Sequence, residues 1–136
     1  MKADVRIKKL RGGAHAPTYG SEFAAGCDLY ACIEAGEVTI NPGQTVLIPT
    51  GWAFEIPDGF AGLIYARSGL ATKSGLAPAN KVGVIDSDYR GQIVVVLHNH
   101  GGEPQQIEHG ERIAQMVITP VLTPPYTQVE ELSDSD

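Results

Sequence analysis

Short apolar runs separated by turns dominate the hydrophobic pattern of this 136-residue chain, which carries 16 Gly and 9 Pro. Most runs are rich in β-branched residues, and Trp52, Phe54 and Ile56 alternate with small or polar neighbours. Both patterns favour strands, so the sequence predicts an all-β sandwich or barrel rather than alternating helices and strands. The predicted strands cover residues 5–10, 38–40, 45–48, 52–56, 63–65, 82–85, 93–97 and 113–119.

Helical signals are confined to residues 68–76, where Ser68 could cap one or two turns. Gly69 and Gly75 keep this segment short, so at most one short helix is expected. The chain contains no internal repeat and no linker, and its length suits one domain, which we place at residues 1–125. Residues 126–136 form an acidic, polar tail that is not expected to order on its own.

The composition limits the classes of partner. A net charge of −6 argues against binding to nucleic acid, because many phosphate contacts require a basic face. A single nucleotide is still allowed, since one Arg and a few backbone N–H groups can hold it. No apolar run reaches the roughly 18 residues that a membrane helix needs. The N-terminus also lacks the apolar segment of a signal peptide, so we expect a cytoplasmic protein with no membrane partner.

Cysteine and histidine usage favours structural roles. Cys27 and Cys32 are too few for a disulfide framework, and the four histidines show no metal-binding spacing. We therefore expect small buried thiols and histidines in loops or on the surface. Nothing in the sequence brings together a Ser-His-Asp or Cys-His nucleophilic set.

Residues 80–91 are the most informative segment for function. Two acids and an aromatic residue, Asp86, Asp88 and Tyr89, lie between two predicted strands and are closed by Gly91. A hairpin tip needs turn residues, but it needs neither two carboxylates nor a tyrosine. Gly83 inside the first strand weakens pairing and lets another molecule approach the backbone closely. The segment is therefore predicted to be a functional loop.

Two further segments have the composition of ligand sites. In residues 66–71, Arg67, Ser68 and Gly69 suit an oxyanion such as phosphate, although a polar turn with an exposed Arg is the simpler interpretation. No Walker-type phosphate loop is present in the sequence. In residues 25–31, Asp28 could serve Mg²⁺, which keeps its waters and contacts proteins through one or two carboxylates. A turn aspartate is the alternative interpretation.

Residues 110–117 place two polar side chains, Arg112 and Gln115, in a strand that otherwise reads as buried. Taken alone, these positions are explained as the solvent-facing side of the strand.

Together the four segments resemble four of the five motifs of the trimeric, all-β deoxyuridine triphosphatases (dUTPases), in order and at the usual intervals. The match covers essentially the whole chain, and the third motif is the most specific. The motifs read Ala25-Gly-Cys-Asp-Leu-Tyr-Ala31, Ala66-Arg-Ser-Gly-Leu-Ala71, Asn80-Lys-Val-Gly-Val-Ile-Asp-Ser-Asp-Tyr-Arg-Gly91 and Gly110-Glu-Arg-Ile-Ala-Gln115.

The resemblance implies a fold, an assembly and an activity. The fold would be a jelly-roll-like β barrel of the dUTPase-like, β-clip type, assembled as a homotrimer with active sites at subunit interfaces. The activity would be hydrolysis of dUTP to dUMP and pyrophosphate with Mg²⁺ as cofactor, by water attack at the α-phosphorus. One subunit would supply the first, second and fourth motifs, and a neighbour the third.

The resemblance also implies roles for residues of the third motif. Asp86 would be catalytic, contacting the sugar 3′-OH and polarising the attacking water. Tyr89 would pack against the deoxyribose and leave no space for a 2′-hydroxyl, and Asp88 would cap the loop through its own backbone. The uracil pocket would comprise Asn80, Gly83, Val84, Ile85 and Val94, all on the hairpin that we expect around this loop.

The remaining motifs would hold the triphosphate. By the same resemblance Arg67, Ser68 and Gly69 bind phosphate, and Gln115 helps near the α-phosphate and the water. Asp28 would act on Mg²⁺ indirectly, through water.

The chain departs from the family pattern at its end, because the Gly-rich, Phe-containing arm that forms the fifth motif does not follow the acidic tail. We expect that such an arm has been trimmed from this sequence, the alternative being that the natural protein ends here, and that turnover is slower without the arm. Two alternatives stay open. One is a nucleotide-gated regulatory protein that retains the dUTP pocket. The other is a dCTP deaminase, which would need a Glu on the strand after the loop, whereas residues 92–98 contain no acid.

Overall fold

The computed structural model describes residues 3–135 and contains, within them, eleven strands and one short helix. The elements are β1 Arg6–Lys9, β2 Thr18–Tyr19, β3 Cys27–Tyr30, β4 Glu37–Ile40, β5 Thr45–Glu55, β6 Phe60–Tyr65, α1 Ser68–Ser74, β7 Leu76–Pro78, β8 Gly83–Ile85, β9 Gln92–Asn99, β10 Gln105–Glu108 and β11 Arg112–Pro120.

The strands form three antiparallel sheets. One has the order β1-β5-β9-β7, a second the order β2-β3-β11-β6-β8, and β10 pairs with β4. Each order is open, so the described strands make a jelly-roll-like arrangement of layers rather than one closed barrel. The predicted all-β class with a single short helix is confirmed.

One core lies between the sheets. Strand β9 shows why, because its residues alternate between buried and half-buried positions over its whole length. All three sheets contribute: Ile48 and Leu97 from the first, Leu29 and Met116 from the second, and Ile107 from the third. Each of these side chains is at most 1% exposed, as expected for residues that hold layers together by apolar burial.

Strand β5 corrects one boundary predicted from the sequence. The runs 45–48 and 52–56 were expected as two strands, but they form one strand. Gly51 lies between them with φ 81°, and the pairing with β9 shifts register between Pro49 and Ala53. A Cβ at Gly51 would also lie 2.6 Å from the Ala14 Cβ, so the glycine allows both the bend and the close packing.

The expected hairpin around residues 80–91 is also corrected. Strand β8 pairs with β6, whereas β9 pairs with β5 and β7 in the other large sheet. The segment between them therefore crosses from one sheet to the other. Sequence alone could not show this, because two β-rich runs around turn residues look the same whether or not they pair with each other.

The helix is shorter than the predicted 68–76, and its cap differs. Arg67 occupies the N-cap position without a side-chain hydrogen bond, so the prediction that Ser68 caps the helix is wrong. Gly75 ends the helix in the left-handed region with φ 68°, consistent with its predicted role. The pattern also missed β2, β3, β7 and β10, which have at most four residues each.

The chain after Pro120 runs over the surface. The Val121 N–H donates to the Gly59 carbonyl at 2.9 Å, and the side chains up to residue 135 are exposed. Leu122 and Tyr126 are 93% and 97% exposed. No helix among the described residues has the length and apolar character needed to cross a membrane.

Candidate active site

A buried carboxylate organises the first polar cluster. Asp28 on β3 is 9% exposed, and its Oδ1 accepts a hydrogen bond from Arg67 Nε at 3.2 Å. Arg112 Nη1 lies 3.7 Å from Asp28 Oδ2. Both oxygens therefore face arginines, which is what a nearly buried charge needs. The structure brings together the first, second and fourth sequence motifs in one chain.

Gln115 completes this cluster. Its Cα is paired across β11 with Asp28 on one side and with Tyr65 on the other. The side-chain Nε2 donates to the Ala66 carbonyl at 2.9 Å, directly before Arg67. We call Asp28, Arg67, Arg112 and Gln115 the Asp28 cluster. The sequence-based interpretation of Gln115 as a simple solvent-facing residue is replaced by a half-buried, hydrogen-bonded one.

Gly26 gives Gln115 its space. A Cβ at Gly26 would overlap Gln115 Oε1 and lie 3.0 Å from both Cβ and Cδ of that side chain. The requirement is steric, since the φ of Gly26 is not in the left-handed region. Gly26 belongs to the first motif, but nothing in the sequence assigned it a role. A small residue two positions before Asp28 was the available clue, and only the sheet register shows that it accommodates Gln115.

Ser68 and Gly69 begin helix α1 directly after Arg67. Both residues are exposed, and no atom lies within 4 Å of a Cβ placed on Gly69. The first N–H groups of a helix have no intrahelical partner, so they point outward as free donors. Thr72 Oγ1 instead donates to the Ser68 carbonyl at 2.6 Å, which holds the first turn together.

The predicted base-binding residues are divided between the two large sheets, with Gly83, Val84 and Ile85 on β8 and Val94 on β9. Gly83 is buried, and a Cβ on it would lie 3.2 Å from Asn80 Nδ2 and 3.4 Å from Ile64 Cβ. Within one chain, this glycine therefore permits close packing of the Asn80 amide. Val84 is 61% exposed. Ile85 and Val94 are half-buried, the latter on β9 opposite Pro49.

The second polar cluster is the Asp86 loop, residues 86–91. Asp86 is exposed, and its carbonyl accepts the Tyr89 N–H at 3.2 Å. Tyr89 Oη donates to the Gln92 carbonyl at 3.0 Å, and its ring covers Gly91, where a Cβ would lie 2.7 Å from Cζ. The ring therefore packs on the backbone and leaves one face towards solvent, with 43% of the residue exposed.

Arg90 holds this loop through contacts at the surface. Its Nη1 donates to the carbonyls of Ser87 at 2.6 Å and Tyr89 at 3.2 Å, and its Nη2 lies 3.4 Å from Glu55 Oε1 on β5. Asp88 was expected to cap the loop, but the hydrogen bonds that close it come from Tyr89 and Arg90. Sequence reasoning missed Arg90 and Glu55, because they are 35 positions apart and meet only through the tertiary fold.

The two clusters lie far apart in one chain. Ile85 pairs with Gly62 on β6, so Asp86 lies beyond it, while Arg67 follows the opposite end of β6. At about 3.3 Å per strand residue, Asp86 and Arg67 are separated by roughly 15–20 Å. A nucleotide site that used both residues of one chain would have to span this separation between their Cα atoms.

The cysteines are free, with Cys32 buried and Cys27 half-buried beside Asp28. Burial raises the pKa of the Cys27 thiol, and the neighbouring Asp28 charge raises the same pKa further. This thiol is thus kept protonated and has no place in a nucleophilic set. Residues 3–135 contain no group of three or more His, Cys, Asp or Glu side chains that could hold a metal ion.

The fold and the two clusters define an all-β protein with separated groups suited to a phosphorylated ligand. The family model described as dUTPase matches residues 13–136, so the chain belongs to the dUTPase family. A deoxyuridine 5′-triphosphate nucleotidohydrolase of Hydrogenovibrio crunogenus is 52% identical over 120 residues, covering 88% of this chain and 78% of that protein. The enzyme of the same name from Syntrophotalea carbinolica is 45% identical over 132 residues, covering 97% and 89%.

Solved structures agree with the family assignment. A dUTPase variant of Staphylococcus bacteriophage 80alpha with dUpNHpp superposes with a TM-score of 0.89 at 29% identity, covering 98% of this chain and 92% of that chain. A dUTPase variant of phage phi11 of S. aureus gives a TM-score of 0.85 at 27% identity, covering 94% and 97%, and is described with the coordination of a structural Mg(II) ion.

Proposed function

We propose that this chain hydrolyses dUTP to dUMP and pyrophosphate with Mg²⁺, by water attack at the α-phosphorus. Membership of the dUTPase family and the names of its relatives support the substrate and the reaction. One geometric observation supports the architecture of the site. The Asp28 cluster and the Asp86 loop lie near opposite ends of β6, so a site that used both within one chain would have to span that length.

The separation favours a homotrimer with active sites at subunit interfaces. One chain then contributes the Asp28 cluster, and a neighbour contributes the Asp86 loop. A complementation experiment tests this directly with two inactive variants, Asp86→Asn and Arg67→Ala. In mixed trimers, one interface in each pairs an intact Asp86 loop with an intact Asp28 cluster, so co-expression restores part of the activity. No restoration, with mixed trimers shown by mass spectrometry, would contradict the shared site.

The base is recognised by the segment around β8 and β9. Strand β8, which carries Gly83, Val84 and Ile85, is the last strand of its sheet, so one backbone edge is left for a ligand, with Asn80 before it and Val94 on β9. Backbone N–H and C=O groups can match the donor and acceptor pattern of uracil, whereas cytosine would leave a buried group unpaired. A mismatch of this kind can reject an analogue by roughly 10⁴ or more.

Tyr89 provides the sugar contact. Its ring is fixed by the hydrogen bond to the Gln92 carbonyl and by packing on Gly91. A rigid ring placed against C2′ excludes a 2′-hydroxyl by volume, which distinguishes dUTP from UTP. The half-exposed ring face is available for this contact.

Asp86 is the catalytic residue. Its carboxylate is exposed, and its backbone is held by the Tyr89 N–H, so the group can accept hydrogen bonds from the sugar 3′-OH and from a water. Orienting that water in line with the α-phosphorus is general-base work, typically contributing 10²–10⁴-fold. A water-excluding partner surface would strengthen this interaction.

The triphosphate lies against the neighbouring Asp28 cluster. Arg67 is held by Asp28 through Nε, which leaves its terminal nitrogens for phosphate oxygens. Ser68 and Gly69 add a hydroxyl and free N–H groups at the same turn. Gln115 uses Nε2 on the Ala66 carbonyl, so its Oε1 is left to accept from the attacking water.

The Asp28 cluster fits Mg²⁺ only indirectly. Both Asp28 oxygens face arginines, so this carboxylate could reach the ion through its waters but not as a direct ligand. That suits Mg²⁺, which usually keeps several waters and is held by substrate phosphates. When bound, the ion would neutralise charge on the triphosphate and on the departing pyrophosphate.

The proposal also covers the domain bounds, the cellular location and the excluded partners of the chain. We take residues 1–125 as one domain and 126–136 as its C-terminal tail, with a cytoplasmic location and neither nucleic acid nor membrane as partner. The net charge of −6 supports the first of these exclusions.

A nucleotide-gated regulatory role is the second candidate. The 80alpha phage dUTPase, a structural neighbour at 29% identity, is described as controlling the transfer of virulence genes by a G protein-like mechanism. A dCTP deaminase is disfavoured, because β9 contains no acidic residue in Gln92–Asn99. Pyrophosphate release, ammonia release and binding, measured with dUTP, dCTP, dTTP and UTP, separate the three. Release from dUTP alone supports the hydrolase, ammonia from dCTP the deaminase, and tight dUTP binding without release the regulatory protein.

A further inference from the structure

Two histidines that are not among the site residues assigned above lie side by side at the end of β9. The imidazoles of His98 and His100 have ring centroids 4.5 Å apart and are inclined by 61°. Both flank Asn99, which turns inward and is 1% exposed, so the two rings lie on the outer side of the strand. We propose that His98 and His100 form a two-imidazole chelate for a late first-row divalent cation such as Ni²⁺, Cu²⁺ or Zn²⁺.

The spacing of the rings matches a chelate. With metal–nitrogen bonds of about 2.0–2.1 Å and an angle between about 90° and 109°, two coordinated imidazole rings have centroids roughly 4.5–5 Å apart. The observed separation lies at the near end of this range, so only small side-chain rotations are needed. The rings are arranged edge to face, so these rotations would turn one nitrogen of each ring towards a common ion.

One tautomer of His98 leaves a ring nitrogen for a metal ion. His98 Nδ1 lies 2.8 Å from Thr45 Oγ1 on the neighbouring strand. When Nδ1 donates its hydrogen there, Nε2 carries the free lone pair that a metal requires, and the ring orientation is fixed. Among residues 3–135, no side chain hydrogen-bonds to the His100 ring, which is exposed.

The backbone between the rings is rigid. Asn99 Nδ2 donates to the carbonyls of Ile40 at 2.9 Å and Glu103 at 2.7 Å, and its Oδ1 accepts the Gly101 N–H at 2.9 Å. The His100 N–H also donates to the Gly75 carbonyl at 2.8 Å. A fixed backbone lowers the conformational entropy lost when both rings bind one ion.

The chemistry selects the cation. Imidazole nitrogen suits Zn²⁺, Cu²⁺ and Ni²⁺, whereas Mg²⁺ prefers oxygen. No third His, Cys, Asp or Glu joins the pair within the described residues, so water fills the other positions and a micromolar affinity is expected. The Mg²⁺ of the proposed reaction would not compete for this site.

The test is calorimetric titration of the full chain with Ni²⁺ in millimolar Mg²⁺. We expect one ion per chain and at least about tenfold weaker binding for His98→Gln and for His100→Gln, because each removes one of two ligands. Thr45→Val, which removes the partner of His98 Nδ1, is expected to weaken binding by about tenfold.

His15→Gln is the matched control. His15 and His109 form another imidazole pair, with centroids 5.4 Å apart, but His109 Nδ1 already accepts the Ile33 N–H. Binding that is lost equally in His15→Gln, or retained in both variants of the proposed pair, would overturn the site. Nitrogen couplings from two imidazoles in the Cu²⁺ resonance spectrum would support it, and couplings from one or none would contradict it. Neither result depends on dUTP hydrolysis, so this site and the proposed function can fail separately.

Discussion

The Asp28 cluster and the Asp86 loop are held in place in different ways. Most of the cluster lies on the neighbouring strands β3 and β11, where backbone register alone places Gln115 beside Asp28. The loop is exposed, crosses between two sheets, and depends on local hydrogen bonds together with the contact between Arg90 and Glu55. Register therefore makes the cluster rigid, whereas the loop depends on a few surface contacts that are each worth little.

The two regions also differ in how complete each is within one chain. The cluster is complete within one chain, apart from the phosphates that it would hold. The loop has an exposed carboxylate and a half-exposed ring, and both would become buried only against another molecule. Substitutions in the loop should therefore change activity without changing stability, while substitutions at the cluster should change both.

The largest expected effect comes from removing the catalytic charge in the loop. Asp86→Asn should lower kcat by about 10²–10⁴-fold, because the amide cannot take a proton from the attacking water. The free energy of unfolding should stay nearly unchanged because Asp86 is exposed. The Kd for a non-hydrolysable dUTP analogue should also change little, because the Asn side-chain oxygen can still accept from the sugar 3′-OH. Asp88→Asn is the matched control, with the same charge change in the same loop. Equal losses in both variants, measured by pyrophosphate release, would refute the assigned role.

Filling the space beside Gln115 tests the cluster. Gly26→Ala would force the Gln115 side chain away from the Ala66 carbonyl. Overpacking of this kind typically costs about 1–3 kcal/mol, and a misplaced group near the chemistry can cost about 10²-fold in rate. The free energy of unfolding, measured by denaturation, and kcat/KM should therefore both fall.

Gly12→Ala is a suitable comparison for this variant, because nothing lies within 4 Å of a Cβ there. A fully active, fully stable Gly26→Ala protein would show that Gln115 has room to relax.

Releasing the loop from β5 should have a moderate effect. Glu55→Gln removes the charge that faces Arg90 at 3.4 Å, and it also removes the partner of Arg6. Because surface ion pairs contribute about 0–1 kcal/mol, we expect a fewfold fall in kcat and little loss of stability. Stopped-flow measurement of turnover gives the change in kcat, and thermal denaturation gives the change in stability. Glu37→Gln, at the surface contact with Gln106, should leave kcat unchanged.

The smallest effect concerns the thiol at the cluster. Because the pKa of Cys27 is higher in the folded chain than in the unfolded one, folding favours the protonated thiol. Its contribution to stability is present at neutral pH and is lost as the pH rises above about 8.5. Between pH 7 and pH 10 the unfolding free energy of the wild type should therefore fall more than that of Cys27→Ala. Parallel curves would show that this thiol does not titrate differently on folding.

The fold class was predictable because strand formation is encoded locally. Strand β9 was recognised from its β-branched residues, and helix α1 from Ser68 as a cap, with Gly75 at its end. The long strand β5 was divided in two because Gly51 reads as a turn, although it is a bend within a strand. Strands β2 and β7 are too short to carry a periodic signal.

The site was predictable in composition but not in arrangement. Asp28, Arg67 and Gln115 were named from motifs, and the roles given to the site residues remain proposals. Their contact arises from pairing across β3, β11 and β6, which are far apart along the chain. Gly26 and Arg90 could not be assigned positioning roles, because the side chains that they accommodate or join lie 89 and 35 positions away.

The sequence by itself determined the all-β class, because turn residues and β-branched runs act locally, and its motifs carried the resemblance to the dUTPases. Only the tertiary structure decided which groups meet. Sheet register joins Asp28 to Arg67 and Gln115, and the crossing between sheets places Asp86 about 15–20 Å away from Arg67. Pairing between distant strands follows from the burial of a shared core, which no single segment contains.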